Sequence, residues 1–218
     1  MKDVFIYDAI RSARTRAKAN GGLKALTPPE LLKPLYWALA ERNQLDPARV
    51  SEVILGCVTQ YGEQAGNIAK TSALFAGWPE SVSGLTVHRF CSSSIDAISL
   101  AGLKVATGQT KAIVAGGIEM MSRVPMLSDA ARVFSDPAYA VQHQMLLMGS
   151  GADLIATRIG ASREDCDAIA LQSQQQASQA QREHRFQSIV PIETPHGVIS
   201  EDECIRTDIT AERLARLP

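Results

Sequence analysis

The stretch VHRFCSSSIDAI, Val87 to Ile98, changes character in its middle. Up to Phe90 it continues GLTVHRF (84–90), an apolar run of strand type, and from Cys91 onward it carries the pattern of a helix with hardly a charge. On a helix from Cys91 to about Thr107, the residues Cys91, Ile95, Ile98, Gly102 and Val105 share one face. The other faces hold Ala97, Leu100, Ala101, Leu103 and Ala106, with Asp96 and Lys104 the main polar exceptions. A helix apolar nearly all round is expected inside a core. A thiol at its mouth meets unpaired N–H groups and the positive end of the helix dipole, both favourable to the thiolate, which is the nucleophilic form. The same N–H groups suit an oxyanion formed when sulfur attacks a carbonyl. Arg89 is expected to act in the same direction where its side chain turns inward, and Ser92, Ser93 and Ser94 are small enough to cap the helix and leave room for a ligand. Free cysteine also packs as a small hydrophobe, so a nucleophile and a buried structural thiol both stay open on these residues alone.

Strand and helix patterns alternate on either side of this joint. VFIYDAI (4–10) reads as a strand, PPELLKPLYWALAERN (28–43) as a helix opened by prolines after Thr27, and VSEVILGCV (50–58) as a second strand. GNIAKTSALFAG (66–77) reads as a helix and KAIVAGGIE (111–119) as a further strand. Strands separated by helices of this length predict an α/β fold with a mainly parallel sheet and helices on its faces. After Met120 the texture turns irregular until SREDCDAIALQSQQQASQAQREHRF (162–186), a helix with Ser162 and Asp165 at capping-box spacing. IVPIE (189–193) resembles a strand, and residues 200–218 an acidic stretch leading into a partial helix. The division expected is residues 1–120 as the α/β domain and 121–218 as a second, irregular piece.

With 218 residues, 45% hydrophobic and 21% charged, the composition is that of a soluble globular chain with ample material for a core. A net charge of −1 gives no case for nucleic-acid or membrane partners, and no apolar run reaches membrane-spanning length. The basic run RSARTRAK (11–18) is read as a solvated loop, with a clamp for a phosphorylated ligand as the alternative. Cys57, Cys91, Cys166 and Cys204 lie far apart with no C-x-x-C pair, so neither a metal site nor a disulfide framework is expected, and a reducing cytoplasm fits best. Cys57, within VILGCV, is expected in the core.

HRFCSSSIDAI together with AIVAGGIEMMSRVP (112–125) resembles the thiolase family of acyl-CoA acyltransferases. DAIRSARTR, GNIAK, MGSGADLIA and SREDCDAIALQSQQQA extend the resemblance from end to end. It implies a thiolase-type half of βαβαβαββ order with an inserted loop domain, and a chain without the second half. It implies Cys91 as the nucleophile that takes an acyl group as a thioester, its backbone N–H as an oxyanion donor, and Met148 as a wall of the pantetheine channel. Coenzyme A thioesters are the implied substrates, with no tightly bound cofactor. Splitting one difficult carbon–carbon step through a covalent intermediate is the chemistry involved. Gly116, Gly117 and Glu119 match the family motif and are read as structural. His88 stands where the family commonly has Asn and is read as a packed or hydrogen-bonded residue, not a base. GSGAD replaces a Thr-Ala-Glu run, and Leu147 stands where biosynthetic members have His, which leans towards the degradative branch. The family's second-half His, Asn and Cys motifs are not found, so the chain is expected to be catalytically incomplete alone. A homodimer through the VHRF and AGGIE edge, and a complementing C-terminal chain, are the implied partners. The alternatives are a non-catalytic CoA-binding or dimerisation module, and an unrelated Cys–His hydrolase using His143 or His196.

Overall fold

The computed structural model describes residues 2–217. Its elements, in chain order, are α1 (Pro28–Arg42), β1 (Glu52–Gly56), α2 (Ile68–Phe75), β2 (Ser83–Val87), α3 (Ser93–Ala106), β3 (Ile113–Gly117), α4 (Arg132–Ser135), α5 (Pro137–Gln142), α6 (Met148–Ile159), α7 (Arg163–Arg182), β4 (Ile192–Thr194), β5 (Gly197–Ile199) and α8 (Ala211–Leu214). Among the described residues, no helix is long and apolar enough to cross a membrane.

Two compact units divide the chain, and the first comprises Met1–Asp129 with Ser188–Glu203. Its centre is a parallel sheet in the order β2-β1-β3, with Ile54 in register with Leu85 on one side and Ala115 on the other. Alternation along β1 divides its side chains between two layers. Val53 and Leu55 join the core built by Leu31, Leu32 and Tyr36 of α1 and Ile68, Ala69 and Ala73 of α2. Ile54 faces the other way, against Ala97 and Ala101 of α3. The expected α/β fold with helices on both faces of a parallel sheet is present. α1 begins as its sequence indicates, with prolines in the first turn and the Glu30 carboxylate accepting the Thr27 N–H at 2.7 Å.

Two expectations are corrected. Residues 4–10 form no strand: Phe5, Ile6 and Tyr7 are exposed and no pairing is made, because a strand pattern becomes a strand only beside a partner edge. The segment is tied at its ends, where Lys2 N–H reaches the Ala106 carbonyl at 2.8 Å and Asp8 pairs with Arg42 at 3.0 Å. The helix after Cys91 is not buried all round either. Only Ser93, Ala97 and Ala101 are buried, in a stripe with a spacing of four, while Ile95 and Leu103 are 64% and 59% exposed.

The β4–β5 hairpin belongs to this first unit, and Ile192 is buried in its core. Arg11 anchors it: the guanidinium makes a two-pronged contact with Asp202 at 2.7 and 2.9 Å, and the Arg14 N–H adds 2.7 Å to the same carboxylate. Burial opposes the Asp202 charge, but these donors outweigh it and hold the carboxyl below its usual range. The Arg16 N–H reaches Glu203 at 3.0 Å, so part of the basic run is bound to carboxylates of its own chain.

The second unit comprises Ala130–Gln187 with Cys204–Pro218 and is helical. α7 has the capping box its sequence indicates, with the Asp165 N–H donating to Ser162 Oγ at 3.0 Å and the Ser162 N–H donating to Asp165 at 2.9 Å.

Candidate active site

Cys91 lies two residues before α3, on the turn that joins β2 to that helix. It is exposed, while Cys57 at the end of β1 is buried. The turn owes its shape to Phe90, whose φ of 45° lies in the left-handed region. Ser93 closes the turn: its hydroxyl accepts the Arg89 N–H at 2.9 Å and donates to the Phe90 carbonyl at 2.6 Å. His88 contributes from the other side, its ring edge-on to Phe90 at 4.9 Å and its Nδ1 accepting the Phe90 N–H at 3.4 Å. His88 is therefore a turn residue, in line with its structural reading.

Two glycines place this turn over the sheet. A Cβ on Gly56 would stand 2.4 Å from the Ser93 carbonyl carbon and the Ser94 nitrogen, and one on Gly117 would stand 2.0 Å from Ser94 Oγ. Only glycine at these strand ends lets the first turn of α3 descend so close to the sheet. Gly117 thus serves as expected in a structural role, whereas Gly116 has open space at its Cβ position. The strand ends are in turn clasped from below. Glu119 accepts the Val58 N–H at 2.8 Å and the Gln64 amide at 2.9 Å, and fully buried Gln64 accepts the Met120 N–H at 2.6 Å. Burial, assisted by the nearby Glu119 charge, pushes the Cys57 thiol up to about 12, so it stays protonated and inert.

Arg89 does not turn towards the thiol. Its guanidinium is 72% exposed and pairs with Asp96 in the first full turn of α3 at 2.6 Å. Met148, the other residue singled out, opens α6 in the second unit and is 74% exposed. Cys166 and Cys204 are exposed. Among the described residues, no group of three or more His, Cys, Asp or Glu side chains could hold a metal ion. The sequence does not single out Gly56 or Phe90, and it names Ser93 only together with Ser92 and Ser94. The only signal was glycine at the end of an apolar strand, in VILGCV, and serine two positions after the cysteine.

An exposed cysteine on a strained strand-to-helix turn, two residues before the helix begins, is accessible for attack on a carbonyl. The family model of the thiolase N-terminal domain matches residues 4–218. The chain belongs to the thiolase family. It is 38% identical over 239 residues to the beta-ketoadipyl-CoA thiolase of Pseudomonas aeruginosa, covering 99% of this chain and 59% of that one. It is 36% identical over 230 residues to the steroid 3-ketoacyl-CoA thiolase of Mycobacterium tuberculosis, covering all of this thiolase chain and 56% of the relative. The solved structure of the Bacillus anthracis acetyl-CoA acetyltransferase superposes with a TM-score of 0.83 at 35% identity, over 96% of this chain and 56% of that one. The chain therefore spans less than two thirds of the length of these thiolase relatives.

Proposed function

We propose that this thiolase chain carries the acyl-accepting half of an acyl-CoA acyltransferase site, with Cys91 as the nucleophile. The Cys91 sulfur adds to the carbonyl carbon of an acyl-CoA, the bond to the CoA sulfur breaks, and the thiol proton ends on the departing CoA. In a Claisen condensation the acyl group then passes to the carbanion of acetyl-CoA. In thiolytic cleavage of a 3-ketoacyl-CoA the sulfur instead adds to the 3-keto carbon, the C2–C3 bond breaks, and the departing acetyl-CoA carbanion takes up the thiol proton. A CoA thiol then takes the acyl group and returns its proton to the Cys91 sulfur. The Cys91 N–H is offered as one oxyanion donor, and Met148 as a contact for the pantetheine arm. The observation that carries this reading is the exposure of Cys91 on a turn fixed against the start of α3, in contrast to the buried and protonated Cys57.

Proton transfer and the rest of the oxyanion site are assigned to a complementing polypeptide like the part of the relatives beyond the matched region. The exposed apolar side of α3 and residues 4–7 offer it a surface, and a homodimer through the β2 and β3 ends is the accompanying assembly. Incubation with acetyl-CoA followed by peptide mass spectrometry tests the assignment. Acetylation confined to Cys91 is expected, with turnover by CoA only after a C-terminal thiolase portion is added. Complete turnover by this chain alone would remove the need for a complement. Ordinary alkylation of Cys91 with no acetylation, even beside the complement, would favour a non-catalytic CoA-binding or dimerisation module.

A further inference from the structure

A bulky residue with positive φ is uncommon, and such strain persists only where neighbouring contacts hold it. Phe90 is in that state one residue before Cys91. The hydroxyl of buried Ser93 accepts the Arg89 N–H and donates to the Phe90 carbonyl, so it bridges the peptide that precedes Arg89 and the one that follows Phe90. The Phe90 carbonyl also accepts the Ser93 N–H at 3.0 Å. That carbonyl and the Cys91 N–H belong to one planar trans peptide, in which C=O and N–H point in opposite directions. Holding the carbonyl inward on Ser93 therefore aims the Cys91 N–H away from it.

We infer that Ser93 is a positioning residue for attack on carbonyls at Cys91: it locks the strained Phe90 turn and so orients the Cys91 N–H that would receive the developing oxyanion. The inference rests on Cys91 as the acyl acceptor. It makes a distinction that general damage to the fold would not, because alkylation of a thiol by iodoacetamide develops no oxyanion while acylation does.

The experiment uses the full chain and two probes of Cys91, p-nitrophenyl acetate for carbonyl attack and iodoacetamide for alkylation, each resolved by peptide mass spectrometry. Exposed Cys166 and Cys204 give internal reference rates, and buried Cys57 reports loss of the fold. Ser93→Ala is expected to slow acylation of Cys91 at least about tenfold, within what loss of an oxyanion donor does, and to change its alkylation less than about threefold. Glycine adopts the left-handed turn without strain, so the same substitution in a Phe90→Gly background is expected to cost clearly less. Equal losses with both probes, equal losses in both backgrounds, no loss of acylation, or alkylation of Cys57 would each overturn the assignment. The p-nitrophenyl acetate comparison needs no CoA site. If acetyl-CoA fails to acylate the unsubstituted chain, the acyl-CoA reading falls and this comparison still decides the role of Ser93.

Discussion

The two faces of the central sheet are built from the same three strands and end differently. On one face, α1 and α2 bring Leu31, Leu32, Tyr36, Ile68 and Ala73 against Val53 and Leu55 in a closed core. Tyr36 is anchored there by a 2.8 Å hydrogen bond to Ser72 and by the Trp78 ring at 5.0 Å. On the other face, α3 meets Ile54 through Ala97 and Ala101, with Leu85, Val87 and Ala115 half covered. The first face places large residues between its layers. The second uses alanine, serine and glycine to bring the helix down, and leaves Ile95, Ile98 and Leu103 outside. The difference teaches that α3 carries more apolar residues than its contact with the sheet uses. Its closeness to the sheet serves the turn at Cys91, and its outer side is the surface available to a partner.

The largest test of this contrast compares Ile68→Ala with Ile95→Ala by urea unfolding. Ile68 is 1% exposed, so its truncation is expected to cost about 2–5 kcal/mol. Ile95→Ala is expected to stay within about 0.5 kcal/mol in this chain by itself. Similar losses would mean that the outer side of α3 is covered in solution. A second pair of substitutions separates the sides of α3 itself. Gly56→Ala forces a Cβ onto the Ser93–Ser94 backbone and is expected to cost about 1–3 kcal/mol. Gly102→Ala enters open space within the helix and is expected to stabilise by up to about 1 kcal/mol. Loss of stability at both positions would break the contrast.

The covered face was legible in the sequence, and the open one only partly. Thr27 with its following prolines, and Ser162 with Asp165, marked helix starts through local hydrogen bonds that need nothing distant. The apolar runs at Val53–Leu55 and Ile113–Ala115 fell inside strands because both of their faces find a layer. Residues 4–10 and α3 show what periodicity leaves out. It records which side chains are apolar, while pairing and burial depend on what stands opposite. At the candidate site, Cys91 draws attention through its place between two patterns. Ser93 was indistinguishable from Ser92 and Ser94, since only the left-handed Phe90 backbone selects it. For Arg89 the condition of an inward side chain is not met, since helical geometry, which adjacent letters do not show, puts Asp96 within its reach.

Alkaline titration sharpens the comparison, because the covered face holds two groups that resist ionisation. Burial raises both Tyr36 and Cys57 to about 12. Their ordinary values are about 10 and 8.5, and below these both folded and unfolded chains keep the protons. Between the ordinary and the raised values only the folded chain does, so stability falls as pH rises, by at most about 1.4 kcal/mol per unit for each group. Urea midpoints measured from about pH 8 to 11 should decline, and Cys57→Ala should flatten the lower part of that decline. An unchanged slope in the variant would show that Cys57 does not stay buried and neutral in the folded chain.

The smallest effect is expected from the most conspicuous polar contact of the open side, the Arg89–Asp96 pair. Arg89 is well exposed and Asp96 partly so, and ion pairs of this kind contribute about 0–1 kcal/mol because water and salt screen them. Asp96 also stands in the first turns of α3, where the helix dipole favours a carboxylate with or without its partner. Arg89→Ala should therefore move the urea midpoint very little and leave alkylation of Cys91 within about twofold, since a guanidinium engaged by Asp96 is not directed at the sulfur. A several-fold fall in alkylation at low salt, restored by Lys at the same position, would instead place the Arg89 charge at the thiol. The turn would then depend on a long-range charge as well as on Ser93, and the open face could no longer be described as held by backbone contacts and small residues alone.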